Sequence, residues 1–193
     1  RLAEDGEVQV KGDLIMRGYR NLPDKTDEVF DEDRWMSTGD IGELDEDGYL
    51  KIVDRKKELI INAAGKNMSP AGIEANIKSA SPLIGQAIAI GDARSYNVAL
   101  IVLDPEYAPT WAKQNGIEES DVAALAEDER VVAAVQDAID AANAKMSRVE
   151  QVKKFKLLPE EWEPGGDELT PTMKLKRKPI NDKYGDEIEA LYA

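Results

Sequence analysis

The chain has 193 residues, 42% of them hydrophobic, which is enough for a domain with a buried core and an additional lobe. Its formal net charge of −14, from 39 acidic and 25 basic residues, argues against nucleic-acid binding. Cysteine and histidine are absent, which excludes disulfides, thiolate or imidazole catalysis, and Cys/His zinc sites. No apolar run reaches the roughly 20 residues of a bilayer-spanning helix, and we expect a cytoplasmic protein.

The first part of the chain has the pattern of a β-rich lobe. Polar and apolar residues alternate over Glu7–Gly12, as in a half-buried strand. The segment Trp35–Asp40 is predicted to end at a turn, and the Asp-Gly pair at 47–48 is typical of a β-hairpin. A short helix is predicted at Asp24–Phe30. Because the first residues already lie in mid-pattern, we expect the chain to be part of a longer protein.

A charged cluster at residues 54–58 marks the predicted boundary between two parts of the chain. Beyond it, the apolar run Leu59–Ile61 predicts a short strand, and residues 64–67 are turn-forming. Ser69 and Pro70 are the residue types preferred at a helix N-cap and at the first helical position. A helix is therefore predicted to begin there.

The rest of the chain predicts a small sheet flanked by helices. Strands are expected at Gln86–Ile90, Asn97–Leu103 and Val149–Leu158, and helices within residues 105–145 and at Pro179–Tyr192. Ile73 and Ile77 mark the predicted buried face of the helix that begins after Ser69, and Val132, Val135, Ile139, Ala142 and Met146 that of a later one. The predicted fold class is α+β: a small β-rich lobe at residues 1–54, then a compact domain at 55–193.

Two charged residues could carry chemistry, although each also has an ordinary structural explanation. Asp40 follows Ser-Thr-Gly, a composition common in turns, and a carboxylate held there could also accept two hydrogen bonds from a vicinal diol such as ribose. Arg55 belongs to a charge run that would normally face solvent. Its guanidinium could equally reach a phosphate or sugar oxygen.

Two further positions have the same double interpretation. Gly65 fits a tight turn, and it would also let a narrow chain such as pantetheine pass the backbone. Lys174 lies in a short basic tract, and on a mobile loop it could stabilise charge that builds up on a phosphoryl group. Pro171 predicts that this loop is extended. Glu74 is predicted to be a solvent-facing helix residue rather than a general base.

The order of these features resembles the adenylate-forming superfamily, which includes acyl-CoA synthetases, luciferases and peptide-synthetase adenylation domains. The wording around Lys174 and Gly65 is most similar to bacterial long-chain fatty-acid–CoA ligases. The matching motifs, in chain order, are Gly6–Gly12 with Gly18-Tyr19 and Thr26, Trp35–Asp40, Gly48–Arg55, Lys57–Ile61 with Gly65, Ser69-Pro70, and Thr170 with Lys174 and Arg177. One departure is Met173, where most members of the superfamily have glycine.

The resemblance implies a role for five positions. Asp40 would hold the ribose hydroxyls of ATP or of the acyl-adenylate, and Arg55 would contact the ribose or a nearby phosphate. Lys57 would be the hinge about which a C-terminal lid domain swings. Lys174 would be the adenylation lysine, and Gly65 with its hairpin would line the pantetheine channel of coenzyme A. No metal ligand is implied within the chain.

The resemblance also implies the chemistry. A fatty carboxylate attacks the α-phosphorus of ATP to give acyl-AMP and pyrophosphate, and the thiol of coenzyme A then displaces AMP. The implied ligands are ATP with Mg²⁺, bound mostly through a missing N-terminal domain, the fatty acid and coenzyme A as co-substrate. The protein partner would be that N-terminal domain. Peripheral membrane association of the parent enzyme stays open.

The implied phosphate loop, adenine site and acyl tunnel would lie upstream of Arg1. We therefore expect the isolated chain to be inactive. Two alternatives remain: an adenylation domain that loads a carrier-protein thiol, and a non-catalytic nucleotide-binding module. The joint presence of Lys174, Arg55 and Asp40 argues against the second.

Overall fold

The computed structural model describes residues 1–193, which divide into two compact units, Arg1–Leu59 and Ile60–Ala193. The elements of the first unit are β1 (Glu7–Val10), α1 (Pro23–Asp27), β2 (Met36–Leu44) and β3 (Leu50–Arg55). Those of the second are β4 (Ile60–Ile61), β5 (Asn67–Met68), α2 (Pro70–Ala80), β6 (Ile84–Ile90), β7 (Asn97–Leu103), α3 (Tyr107–Gln114), α4 (Val122–Leu125), α5 (Glu129–Asn143), β8 (Val152–Leu158), α6 (Arg177–Lys183) and α7 (Gly185–Tyr192). The α+β class predicted from the sequence is confirmed.

The first unit is built on an antiparallel sheet in the order β1-β2-β3. The prediction of a turn after Trp35–Asp40 was wrong, because β2 continues through this segment to Leu44. The turn-forming residues produce an irregularity within the strand instead: Gly39 has a φ of 76°, and the pairing with β1 shifts register at this point. The strand therefore bends next to Asp40.

The hairpin between β2 and β3 forms at the predicted Asp-Gly pair. Gly48 adopts a φ of 84°, a backbone conformation that glycine takes without steric cost. The Asp45 carboxylate accepts hydrogen bonds from the backbone N–H groups of Asp47 and Tyr49, at 3.0 and 2.7 Å. The hairpin is thus closed by local interactions that the sequence encodes.

The second unit is a three-stranded sheet between two helical layers. The strand order is β6-β7-β8, with β6 antiparallel and β8 parallel to the central β7. Alternate residues of β6 face opposite layers: Ala87 and Ala89 pack in the cluster that includes α2 and α5, and Ile88 packs with α6 and α7. The β6 strand is an edge of this sheet, which matters for the site described below.

The start of α2 agrees with the sequence. Ser69 is its N-cap, with a side chain that accepts a hydrogen bond from Gly72 N at 3.0 Å, and Pro70 opens the first turn. Ile73 and Ile77 are buried as predicted. None of the helices combines the length and the apolar character needed to cross a bilayer.

Two details of the later helices were predicted wrongly. Val132 is 37% exposed, and the buried stripe of α5 includes its neighbour Val131, because one residue is a rotation of about 100° on a helix. The single last helix predicted for Pro179–Tyr192 is two helices. They meet at Tyr184, whose φ of −106° and ψ of 28° end α6 just before Gly185 opens α7.

Candidate functional site

Asp40 and Arg55 face each other across neighbouring strands of the first unit. They are Cα partners in the pairing of β2 with β3, and Arg55 Nε lies 3.1 Å from Asp40 Oδ1. The side chains are 31% and 68% exposed, so both remain accessible to a ligand. Asp40 N donates a hydrogen bond to the Thr38 hydroxyl at 3.2 Å, which helps to hold the bend next to the carboxylate.

A buried carboxylate behind this pair was not identified from the sequence. Glu7, only 8% exposed, accepts a hydrogen bond from Gly39 N at 2.9 Å and one from Lys56 Nζ at 2.9 Å. Lys56 also forms an ion pair with Asp5. The hydrogen bond to Asp5 makes the largest contribution, and the one to Glu7 the next, to raising the pKa of Lys56 to about 12. Lys56 N donates to Gly39 O at 2.9 Å. Glu7 and Lys56 thus tie together the residues adjacent to Asp40 and Arg55.

Lys57 is exposed in the turn that follows β3. Both Glu58 N and Leu59 N donate hydrogen bonds to Arg55 O, at 2.9 and 3.2 Å, so the turn folds back onto the end of the strand. The division between the two units falls two residues later, after Leu59.

Gly65 forms the turn between β4 and β5 in the second unit. Its φ is 76°, and its N–H donates to Asn62 O at 2.8 Å. The Asn62 side-chain oxygen accepts hydrogen bonds from Ala64 N and Lys66 N, at 3.0 and 2.9 Å. A Cβ built on Gly65 would meet nothing within 4 Å, so the position combines a conformation suited to glycine with open space beside it.

Lys174 lies exposed at the end of a tight turn, not on the extended loop predicted from Pro171. Met173 N donates to Thr170 O at 2.9 Å, and Thr170 N donates to Lys174 O at 2.8 Å. Lys174 N in turn donates to the Thr170 hydroxyl at 3.0 Å. Pro171 fits the second position of such a turn because its fixed φ matches the geometry, and the expected effect on its neighbour does not prevent closure.

Met173 adopts a φ of 63°, the left-handed conformation in which side chains are strained. A turn closed by a left-handed residue is a standard three-residue hairpin connection, and glycine is the usual residue in it. The residue preceding Lys174 therefore differs in type from the glycine of the resembling motif, although its backbone conformation is one that suits glycine.

The prediction that Glu74 faces solvent was wrong. Glu74 is 7% exposed, and its two carboxylate oxygens lie 2.7 and 2.9 Å from the guanidinium nitrogens of Arg177. Its Oε1 also accepts a hydrogen bond from Ala89 N at 2.9 Å. The sequence predicts that a helical glutamate faces solvent, because nothing near it in the chain indicates burial. The partner that explains its burial, Arg177, lies 103 residues away.

Residues 57–193 match the family of AMP-binding enzyme C-terminal domains. The chain belongs to this family and corresponds to the C-terminal part of an adenylate-forming enzyme.

The chain is similar to curated fatty-acid–CoA ligases and spans about a third of their length. It is 56% identical to the Mycobacterium tuberculosis protein FadD11, provisionally named a fatty-acid–CoA ligase, and covers 34% of it. It is 42% identical to the long-chain-fatty-acid–CoA ligase FadD15 of the same species, covering 32% of it. It is 37% identical to the rat long-chain-fatty-acid–CoA ligase ACSBG1, where the match spans 97% of this chain and 28% of that one.

Solved structures of adenylate-forming enzymes share the fold. The adenylation domain of a Mycobacterium chelonae carboxylate reductase matches 97% of the chain with a TM-score of 0.78 and 27% identity, over 27% of its own length. The ATP-bound MatB of Rhodopseudomonas palustris matches 94% with a TM-score of 0.60 and 26% identity, over 30% of its length.

Proposed function

We propose that the chain is the C-terminal part of an ATP-dependent, AMP-forming ligase that joins long-chain fatty acids to coenzyme A. The observation that carries the proposal is the similarity of the whole chain to about a third of a long-chain fatty-acid–CoA ligase, at 42% identity to FadD15. The paired Asp40 and Arg55 and the turn that carries Lys174 support it. Such a reaction needs no histidine or cysteine, because coenzyme A supplies its own thiol and the protein positions reactants and neutralises charge.

In the first half-reaction a carboxylate oxygen attacks the α-phosphorus of ATP, and pyrophosphate leaves along the opposite direction. Lys174 stabilises the negative charge that develops between the carboxylate and the α-phosphate. Asp40 accepts hydrogen bonds from the two ribose hydroxyls. Arg55, already beside Asp40, donates to a ribose or phosphate oxygen.

In the second half-reaction the coenzyme A thiol attacks the acyl carbonyl and displaces AMP. We propose that the Gly65 turn borders the path of the pantetheine arm, where the open space beside Gly65 admits a narrow chain. Lys57 is the proposed hinge between a lobe of residues 1–54 and a lid of residues 55–193, and a swing about it brings first Lys174 and then Gly65 to the reacting atoms. Mg²⁺ would enter with ATP, and residues 1–193 contain no group of three or more His, Cys, Asp or Glu side chains that could hold a metal ion.

The test is an assay of the full-length ligase that contains this chain, with palmitate, ATP and coenzyme A. We expect palmitoyl-CoA and AMP to form, and K174A to lose acyl-AMP formation from ATP by about 100-fold or more. K174A should still convert supplied palmitoyl-AMP and coenzyme A into palmitoyl-CoA. The isolated chain should catalyse neither step. A full-length protein that forms no acyl-AMP from any long-chain acid would contradict the proposed function.

A second candidate is an adenylation domain that loads a carrier protein. It is favoured by the similarity to carboxylate reductase adenylation domains, one of them solved as a didomain with its PCP partner. The acceptor separates the two candidates. Acyl transfer to free coenzyme A supports the ligase, and transfer only to a phosphopantetheinylated carrier domain supports the second candidate.

A further inference from the structure

The ion pair between Glu74 and Arg177 joins the two helical layers of the second unit. Glu74 belongs to α2, which packs on one face of the sheet, and Arg177 is the first residue of α6, which packs on the other. The carboxylate and the guanidinium form two parallel hydrogen bonds, of 2.7 and 2.9 Å. Bidentate pairs of this kind fix the direction of both groups and not only their separation.

The pair lies at the free edge of the sheet. Glu74 Oε1 accepts a hydrogen bond from Ala89 N, an N–H of the edge strand β6. One carboxylate therefore holds α2, the edge strand and the start of α6 together. Its side chain is 9% exposed and that of Arg177 is 20% exposed, so water screens the interaction little.

Arg177 follows Lys174 by three residues. The backbone of the two residues between them is held in place by contacts with neighbouring segments. Leu175 forms a β-bridge with Leu169 and packs against the core. Lys176 donates its backbone N–H to Glu168 O at 2.8 Å and its ammonium to Gly166 O at 2.7 Å. A displacement of Arg177 is therefore transmitted along the backbone to the turn that ends at Lys174.

We infer that Glu74 and Arg177 are positioning residues for adenylation. They hold the first residue of α6 against α2 and thereby orient Lys174 toward the reacting phosphate. The inference rests on the proposed role of Lys174. A displacement of about 1 Å at a catalytic group can lower the rate about 100-fold. Loss of the Glu74–Arg177 ion pair should therefore lower the rate of the first half-reaction selectively. The second half-reaction does not use Lys174 and should proceed normally.

The experiment uses the full-length ligase and compares R177K, the double variant E74Q/R177M, and K174A. In the double variant the amide still accepts from Ala89 N and both charges of the pair are removed together, so the fold should persist. We expect the rate of acyl-AMP formation to fall about 100-fold in the double variant. The fall should be smaller in R177K, because lysine keeps the charge but cannot form the two parallel hydrogen bonds of arginine. Thioester formation from supplied acyl-AMP should stay within about twofold of wild type in all three variants.

E168Q is the matched control. Glu168 is 7% exposed and pairs with Lys183 on α6 at 2.7 Å, so the variant removes a carboxylate of similar burial that lies farther along the helix from Lys174. The cation of this control pair is more exposed, at 47% for Lys183 against 20% for Arg177. Acyl-AMP formation should be close to that of wild type. An equal loss in E168Q and in E74Q/R177M, or wild-type adenylation in a folded E74Q/R177M or in R177K, would overturn the inference. If K174A adenylates at the wild-type rate, the result contradicts the proposed function itself and not only the role of the Glu74–Arg177 ion pair.

Discussion

Arg55 Nε lies 3.1 Å from Asp40 Oδ1, so the two residues proposed to hold the nucleotide are bonded to each other across β2 and β3. The pair orients each side chain before a ligand arrives. Because Arg55 is 68% exposed, the ion pair contributes little to stability, and the guanidinium can donate to a ligand oxygen as well. The arrangement is therefore suited to preorganisation of a binding site.

Replacing Asp40 should weaken ATP binding. D40A removes the proposed acceptor for the ribose hydroxyls and the ion-pair partner of Arg55, and hydrogen bonds to charged groups contribute about 1.5–3 kcal/mol. We expect the KM for ATP of the full-length ligase to rise by about 10-fold to 100-fold. D45A is the control, since Asp45 caps the hairpin at the far end of the same strands. Equal KM values in D40A and wild type would contradict the assignment.

The left-handed conformation of Met173 predicts an unusual order of stability. M173G should be more stable than M173A by about 1 kcal/mol, because alanine carries the steric cost of a positive φ and glycine does not. At most positions the order is reversed, since glycine loses more entropy on folding. Urea unfolding of the two variants measures the difference. A more stable M173A would show that the turn does not keep its left-handed residue in solution.

The cap of α5 predicts an acid-dependent stability. The pKa of Asp128 is lowered from its ordinary 3.8 to about 2, mainly by the hydrogen bond from the Arg130 side chain and to a smaller extent by the one from Arg130 N. A depressed folded-state pKa means that this stabilisation is complete above the unfolded pKa and is lost as the pH falls from about 4 towards 2. Asparagine caps a helix without the charge. The stability advantage of wild type over D128N should therefore shrink as the pH falls from about 4 towards 2, as followed by urea unfolding; a constant difference would contradict this.

Features that depend on neighbouring residues could be predicted from the sequence. Ser69 and Pro70 start α2 through contacts within one helical turn, and Gly48 closes a hairpin through its own φ. The same holds for the core strand Asn97–Leu103, whose seven residues are all buried. For the cap and the hairpin the determining interaction lies within a few residues, and for the strand the uninterrupted apolar run is itself the signal.

Features that depend on distant partners could not be predicted. Glu74 has the composition of an exposed helix position, and its burial is explained only by Arg177, 103 residues later. Glu7 alternates as a strand residue should, but its role depends on Gly39 and Lys56, which the sheet brings to it. The family resemblance pointed to Asp40 and Arg55 separately, and their direct contact depends on the strand register.

Glu7 should control the local order of the strands that carry Asp40 and Arg55. E7A leaves Gly39 N without its acceptor and Lys56 without one of its two carboxylates, and an unsatisfied buried donor costs about 1–3 kcal/mol. We expect the amides of Gly39 and Lys56 to exchange with solvent hydrogen at least about tenfold faster in E7A than in wild type, as measured by NMR on the 193-residue chain.

D5A is the control for this prediction: it removes the carboxylate that bonds the same ammonium group from the exposed side, and with it the acceptor of the Glu7 N hydrogen bond at 3.1 Å. It leaves the hydrogen bond from Gly39 N to Glu7 intact, so amide exchange at Gly39 should change little. E7Q should lie between the two, since the amide oxygen can still accept from Gly39 N but lacks the charge that Lys56 pairs with. Fast exchange in D5A equal to that in E7A would mean that the Lys56 ion pairs, and not the bond to Gly39, hold the bend next to Asp40.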